Sequence, residues 1–180
     1  MSMLKSERVK ELISKEDIKR RVEELGKEIT RKYEKLDEPL VLVGVLKGSI
    51  IFLADLCRAI DLPLEIEMMG VSSYGEATVS SGVVRITQDL VRPIENKHIL
   101  IIEDIFETGL TLKYLMDNLR ARGPKSVGVC TLLRKPLRNK IEIPVDFVGF
   151  DIPDDFVVGY GLDIAERLRN LPMIGIYEPG

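Results

Sequence analysis

Apolar residues recur at helical spacing early in the chain, at Ile18, Val22, Leu25, Ile29 and Tyr33, behind a Ser14 and an Asp17 that read as an N-cap and a first-turn acid. An amphipathic helix is predicted there. The run Leu40-Val41-Leu42-Val43-Gly44-Val45-Leu46 is continuously apolar and rich in β-branched residues, the pattern of a strand covered on both faces and hence of a parallel sheet. A helical stretch from Ser49 to Ile60 follows. At Leu64-Glu65-Ile66-Glu67-Met68 apolar and acidic positions alternate, as in a half-exposed strand.

The segment from Gly70 to Gly82 holds Ser72, Ser73, Gly75, Thr78, Ser80 and Ser81 among few apolar residues, too long and polar for a minimal connection. It reads as a mobile loop or lid, about 70–84. A strand is predicted over Val83 to Thr87, and a buried one over His98 to Ile102 that ends at Glu103-Asp104. A helix from Leu110 to Arg120 and strands over Ser126 to Leu133 and Val145 to Phe150 complete the pattern. Between them, Pro136 to Pro144 reads as a basic connection and Pro153-Asp154-Asp155 as a turn. Strands alternating with helices predict an open, doubly wound α/β sheet, mostly parallel, whose ligands bind beyond the carboxyl ends of the strands. Lys47-Gly48 and Glu103 to Thr111 fall at such ends.

Composition narrows the function. The 180 residues suit one domain, and with 45% hydrophobic and 31% charged residues the chain is of ordinary globular make-up. A net charge of −3 supplies no global positive field to gather nucleic acid or an anionic membrane, and no apolar run approaches the length of a membrane span. The two cysteines, Cys57 and Cys130, lie far apart and form neither a disulfide framework nor a zinc cluster. With a charged N-terminus they predict a reducing, cytoplasmic setting.

The chemistry concentrates in Glu103-Asp104-Ile105-Phe106-Glu107-Thr108-Gly109-Leu110-Thr111, which sets three carboxylates, two hydroxyls and a glycine at a strand-to-helix junction. A helix N-terminus offers unpaired N–H groups and a partial positive charge, so Thr108, Gly109 and Thr111 can wrap a phosphate. The carboxylates before it suit sugar hydroxyls or Mg²⁺. The plainer alternative is that Glu103 and Asp104 only end a strand while Thr108 caps a helix. No Walker loop or Rossmann glycine fingerprint is present, since Gly44-Val45-Leu46-Lys47-Gly48-Ser49 lacks the spacing.

The stretch Ile101 to Thr111 resembles the phosphoribosyl diphosphate (PRPP) signature of type I purine phosphoribosyltransferases, most of all their hypoxanthine-guanine branch. The likeness continues through Leu46-Lys47-Gly48, Ser72-Ser73-Tyr74-Gly75, Leu133-Arg134-Lys135 and Val148 to Asp163, and covers roughly residues 14 to 178. It implies a single domain over 1–180, with a small hood built from segments near the N-terminus and about 145–180. It also implies transfer of the 5-phosphoribosyl group from PRPP to N9 of hypoxanthine or guanine, giving IMP or GMP and diphosphate.

By that resemblance Glu103 and Asp104 hold the ribose hydroxyls and one Mg²⁺, and Thr108, Gly109, Leu110 and Thr111 hold the 5′-phosphate. Lys47, Gly48 and Arg169 line the diphosphate, with a non-proline cis peptide expected at Lys47, and Asp163 carries a second Mg²⁺. Ser73 and Tyr74 match the lid. Lys135, Phe156 and Val157 read the purine. Lys135 has donors only, which suits a 6-oxo acceptor and not the amino group of adenine. A homodimer or homotetramer is implied.

Glu107 is the candidate proton acceptor for purine N7. The family usually has Asp there, and the extra methylene adds about 1.5 Å of reach and a rotor, so the carboxylate must fold back to the same point. His98 reads as a strand-edge residue, the two cysteines as packing, and the basic residues of 134–140 other than Lys135 as a solvated connection. A second reading is a non-catalytic regulator that keeps the fold to sense nucleotide or PRPP. Joint presence of Lys135, Phe156, Asp163 and Arg169 favours the enzyme, because a sensor needs only the phosphate loop.

Overall fold

The computed structural model describes residues 9–73 and 84–178. In order these form β1 (Val9–Ile13), α1 (Lys15–Tyr33), β2 (Leu40–Leu46), α2 (Ile50–Ala59), β3 (Leu64–Ser73), β4 (Val84–Gln88), β5 (His98–Phe106), α3 (Leu110–Arg120), β6 (Ser126–Arg134), β7 (Phe147–Asp151), β8 (Val157–Val158) and β9 (Ile174–Tyr177), with a short 3-10 turn at Pro136–Arg138. The Ser14 hydroxyl accepts from Asp17 N at 3.1 Å, and α1 buries Ile18, Val22, Leu25, Ile29 and Tyr33, the stripe expected from its spacing.

The main sheet runs β4-β3-β2-β5-β6-β7. Its five strands from β3 to β7 are parallel and β4 joins antiparallel at the edge. The first core packs α1 and α2 on one face with Leu40, Leu42, Leu100 and Ile102, and the second packs α3 on the other with Val41, Val43, Ile99 and Ile101. Alternate residues of β2 and β5 thus enter opposite cores, which is why both strands read as unbroken apolar runs. Chain order reverses between β2 and β5, so the crevice of this doubly wound sheet opens beyond their carboxyl ends.

β4 and β7 are displaced from their expected bounds by a residue or two, and three differences are larger. Gly70 to Ser73 are not loop but the end of β3, because β4 pairs with them, Ser72 opposite Arg85 and Ser73 opposite Val84. The pairing satisfies the backbone of this polar stretch, so it needs no apolar pattern to continue the strand. Of the expected lid, Tyr74 and the rest of 74–83 lie outside the described residues. Likewise β5 does not stop at Glu103 but runs to Phe106, since β6 continues to pair with it, Glu103 opposite Thr131 and Phe106 opposite Arg134. Its pairing with β2 ends at Ile102, which frees the next two side chains toward the crevice. Finally, the small hood is a three-stranded antiparallel sheet β1-β9-β8, whereas β7, within the span assigned to the hood, lies in the main sheet beside β6.

Cys130 is buried, and burial pushes its thiol far up; Cys57 packs partly buried against the first core and its thiol donates to the Ala54 carbonyl. His98 sits at the start of β5 with Nδ1 2.8 Å from Ser126 Oγ, a tie between neighbouring strands remote from the crevice. No described helix is long and apolar enough to cross a membrane.

Candidate active site

Three segments distant in sequence meet at the mouth of the crevice. β2 ends in a cis peptide between Leu46 and Lys47. The turn that follows is anchored by Ser49, fully buried, whose hydroxyl donates to Val45 O at 2.6 Å. Gly48 lies against the Asp104 carboxylate so closely that a Cβ there would stand 1.6 Å from Oδ2. From the other side Gly161, at φ +104°, presses on the Gly48 carbonyl, 2.1 Å from where its own Cβ would be. A side chain at Gly161 would meet backbone in a left-handed conformation, and one at Gly48 would displace the Asp104 carboxylate.

Adjacent carboxylates occupy the floor. Glu103 Oε2 is buried without a hydrogen-bond partner, and burial, reinforced by the charge of Asp104, raises its acid well above the ordinary range. Burial also pushes Asp104 up to about 6, against the pull of the Ile105 N–H, which donates to Oδ1 at 3.0 Å, and of Arg169. An orphaned acceptor beside a second enclosed carboxylate is a site that calls for a cation or for hydroxyl donors. Among the described residues no group of three His, Cys, Asp or Glu side chains could hold a metal by itself. This donor set fits Mg²⁺, which is commonly held by one or two carboxylates together with water and substrate phosphate.

Beyond β5 the chain turns through Thr108 into α3. The N-cap is Gly109, at φ +83°, and not Thr108, whose hydroxyl instead accepts from Leu110 N at a long 3.4 Å. A left-handed cap lets the loop curl back so that the helix N-terminus faces a cavity of about 230 Å³ lined by Glu103, Glu107, Thr108, Gly109 and Thr111. This is an anion cradle with carboxylates beneath it.

Lys135 stands at the end of β6, only 4% exposed. Its Nζ donates to Glu107 Oε1 at 2.5 Å, and Asp154 is 3.9 Å away, itself paired with Arg138. Lys135 N donates to Phe106 O and Lys140 N to Thr108 O, so the connection after β6 is strapped onto the loop that leads into α3. With its amide nitrogen facing the two carbonyls, Asn139 donates to Glu107 O at 2.7 Å and to Lys135 O at 3.1 Å. Phe156 is 55% exposed and makes an edge-to-face contact with Tyr177, ring centroids 6.3 Å apart, so it is an exposed aromatic and not a core one. Val157 is buried in β8.

Arg169 donates through Nη1 to Gly161 O at 2.8 Å and pairs through Nη2 with Asp163 at 2.9 Å. Its Nε is buried without a partner. The structure therefore brings Lys47, Gly48, Glu103, Asp104, Asp163 and Arg169 together at one end of the crevice, and joins Glu107 to Lys135 through the loop that carries Thr108 to Thr111. Ser73 closes β3. Sequence reasoning passed over Gly161, Asn139 and Glu166, whose parts depend on contacts that no local motif announces.

A crevice at the reversal of a doubly wound sheet, with a helix N-terminus for an anion and enclosed carboxylates for hydroxyls, defines a protein that handles a phosphorylated sugar. Residues 8–165 match the model of the phosphoribosyl transferase domain. The chain is 53% identical over 177 residues to the hypoxanthine-guanine phosphoribosyltransferase of Bacillus subtilis, covering 98% of this chain and 97% of that protein. It is 52% identical over 173 residues to the hypoxanthine phosphoribosyltransferase of Haemophilus influenzae, covering 96% and 97%. A crystal structure of a hypoxanthine phosphoribosyltransferase from Staphylococcus aureus superposes with a TM-score of 0.92 at 48% identity, over 99% of this chain and 96% of that one. This chain belongs to the phosphoribosyltransferase family, and within it is similar to the hypoxanthine-guanine enzymes.

Proposed function

We propose that the protein transfers the 5-phosphoribosyl group of PRPP to N9 of hypoxanthine or guanine, forming IMP or GMP and diphosphate in purine salvage. The observation that carries the reading is the Glu107–Lys135 pair beside the anion cradle. In a 6-oxopurine, N7 and O6 lie next to each other on one edge. An ammonium and a carboxylate 2.5 Å apart offer that edge a donor for O6 and an acceptor for a proton on N7. Adenine would set its amino group against a buried ammonium that has no acceptor to offer.

In the reaction N9 bonds to C1 of the ribose as the bond from C1 to the diphosphate oxygen breaks. The electron pair leaves with the diphosphate, and the N7 proton passes to Glu107. Thr108 to Thr111 hold the 5′-phosphate, which fixes C1 beneath the purine, and Glu103 and Asp104 accept from the ribose hydroxyls. Phe156 offers its exposed face to the base, and Val157 its main chain. Lys47, the Gly48 backbone and Arg169 receive the diphosphate, and Ser73 and Tyr74 belong to the segment that closes over it. Mg²⁺, held by Glu103 and Asp104 and by Asp163, would neutralise charge on the leaving diphosphate.

A regulator that senses nucleotide or PRPP needs the cradle but not a buried lysine aimed at a carboxylate, and relatives named as enzymes over nearly the full chain favour catalysis. We also place the protein in the cytoplasm as a homodimer or homotetramer. Diphosphate release should be measured with PRPP and Mg²⁺ and each of hypoxanthine, guanine, xanthine and adenine in turn. Release with hypoxanthine and guanine but not adenine is expected. Silence with every purine despite tight PRPP binding would return the sensor to the lead.

A further inference from the structure

Glu166 lies at the tip of a tight turn between Asp163 and Arg169. Ala165, Glu166 and Leu168 all take positive φ, at 49°, 64° and 70°, a conformation that residues other than glycine seldom adopt. The turn is closed by Ile164 and Arg167, which exchange backbone hydrogen bonds, and by Asp163 Oδ2, which accepts from Glu166 N at 2.8 Å. Left-handed residues gathered in one short turn are held by their surroundings, and the place to seek the reason is what the turn presents.

It presents one oxygen. Glu166 Oε2 is 3.1 Å from Lys47 Nζ and 3.3 Å from Arg169 Nη2, bridging two cations that come from opposite ends of the chain. These are the side chains that the proposed function gives to the diphosphate. Both contacts are longer than the ~2.7–2.9 Å of a strong charge-assisted hydrogen bond. Glu166 and Lys47 are 65% and 64% exposed, whereas Arg169 is 23% exposed and keeps an Nε with no partner. The two cations hold the Glu166 carboxyl below its ordinary range.

We infer that Glu166 is a positioning residue that stands in for the diphosphate: its carboxylate gathers Lys47 and Arg169 in the free protein and is displaced when PRPP binds. The inference rests on Lys47 and Arg169 being diphosphate ligands. A single exposed carboxylate bridging at long range is a weak partner. A diphosphate brings more charge and several oxygens to the same cations, so the exchange runs toward substrate. The carboxylate also competes with every diphosphate that arrives, and thus lowers PRPP affinity and speeds product release.

The test is calorimetric titration of inorganic diphosphate with Mg²⁺ into the parent, Glu166→Gln and Arg169→Met, together with steady-state kinetics. Glu166 is exposed, so glutamine is accommodated without repacking. Two ion pairs at the strength usual near a surface correspond to an effect of about two- to thirtyfold. Glu166→Gln should bind diphosphate more tightly and show a lower KM for PRPP, each by that factor, with the KM for hypoxanthine unchanged. Diphosphate affinity in Glu166→Gln that is equal to or below that of the parent overturns the inference. If Arg169→Met binds diphosphate as well as the parent, the assignment of Arg169 itself fails, a result distinct from failure of the Glu166 exchange alone.

Discussion

Replacing Gly48 by alanine puts a methyl carbon 1.6 Å from Asp104 Oδ2, where ordinary contact begins at 3.4 Å, so the carboxylate must retreat by about 1.8 Å or the turn must move by as much. The turn has little room, because Gly161 already lies against the Gly48 carbonyl. Asp104 therefore yields, swinging away from the Ile105 N–H and from the place proposed for the ribose hydroxyls. Misplacement by 1 Å costs about 10²-fold in rate. We expect Gly48→Ala to lose at least about 100-fold in kcat/KM, or about 2.7 kcal/mol of transition-state stabilisation. The fold should survive, since what moves is the end of one side chain, and the melting midpoint should fall by no more than ~4 °C. Steady-state diphosphate release and scanning calorimetry on the same preparation separate the two effects. A variant that keeps more than a tenth of the parent kcat/KM would refute the reasoning, because it would show that the tight fit of Gly48 on Asp104 does not govern the reacting geometry.

Glu107→Gln removes the proposed proton acceptor while keeping the side-chain shape, and kcat should drop by about 10²-fold or more, whereas Glu107→Asp should stay within about tenfold of the parent; equality of Gln and parent removes Glu107 from the chemistry. The Asp104 carboxyl sits at about 6 in the folded chain against an ordinary 3.8, so stability due to its protonated form is lost as pH rises from about 4 through 6. Asp104→Asn should therefore melt higher than the ligand-free parent at pH 8, with the gap closing near pH 4; a gap that ignores pH contradicts the assignment. Phe156→Ala should raise the KM for hypoxanthine by about tenfold, in line with ~1–3 kcal/mol for a stacked base, and leave the KM for PRPP and the melting midpoint unchanged. A rise in the PRPP KM instead would place Phe156 elsewhere.

Where a side-chain pattern and the backbone agree, the chain is readable. The helical stripe of α1 and the apolar runs of β2 and β5 report burial on one or both faces, and the core holds those residues. Glu103 to Thr111 was readable for the opposite reason: carboxylates, hydroxyls and glycine at a strand-to-helix junction have few structural uses. Patterns mislead at the open ends of strands. Glu103 and Asp104 break the apolar run of β5, yet the ladder with β6 continues because backbone hydrogen bonds are indifferent to the side chains they carry. β1 pairs with β9 across nearly the whole chain, Val9 opposite Tyr177, and five residues carry too little periodicity to announce it. Lys135 in isolation reads as a solvated charge; only the fold reveals that Glu107 lies within reach to balance it once buried. The fit of Gly161 onto Gly48 and the reach of Glu166 to Lys47 belong to the same class, since each needs two distant segments to be placed first.

The most direct test of 6-oxopurine transfer is the ratio of kcat/KM for hypoxanthine to that for adenine, measured with PRPP and Mg²⁺ in the parent and in Lys135→Met. A site built around a buried donor rejects a ligand that cannot accept by about 10⁴-fold. The parent ratio should reach that order and should collapse toward unity in Lys135→Met through loss of hypoxanthine use. A parent that uses adenine as well as hypoxanthine, or a ratio untouched by removing Lys135, would contradict the account.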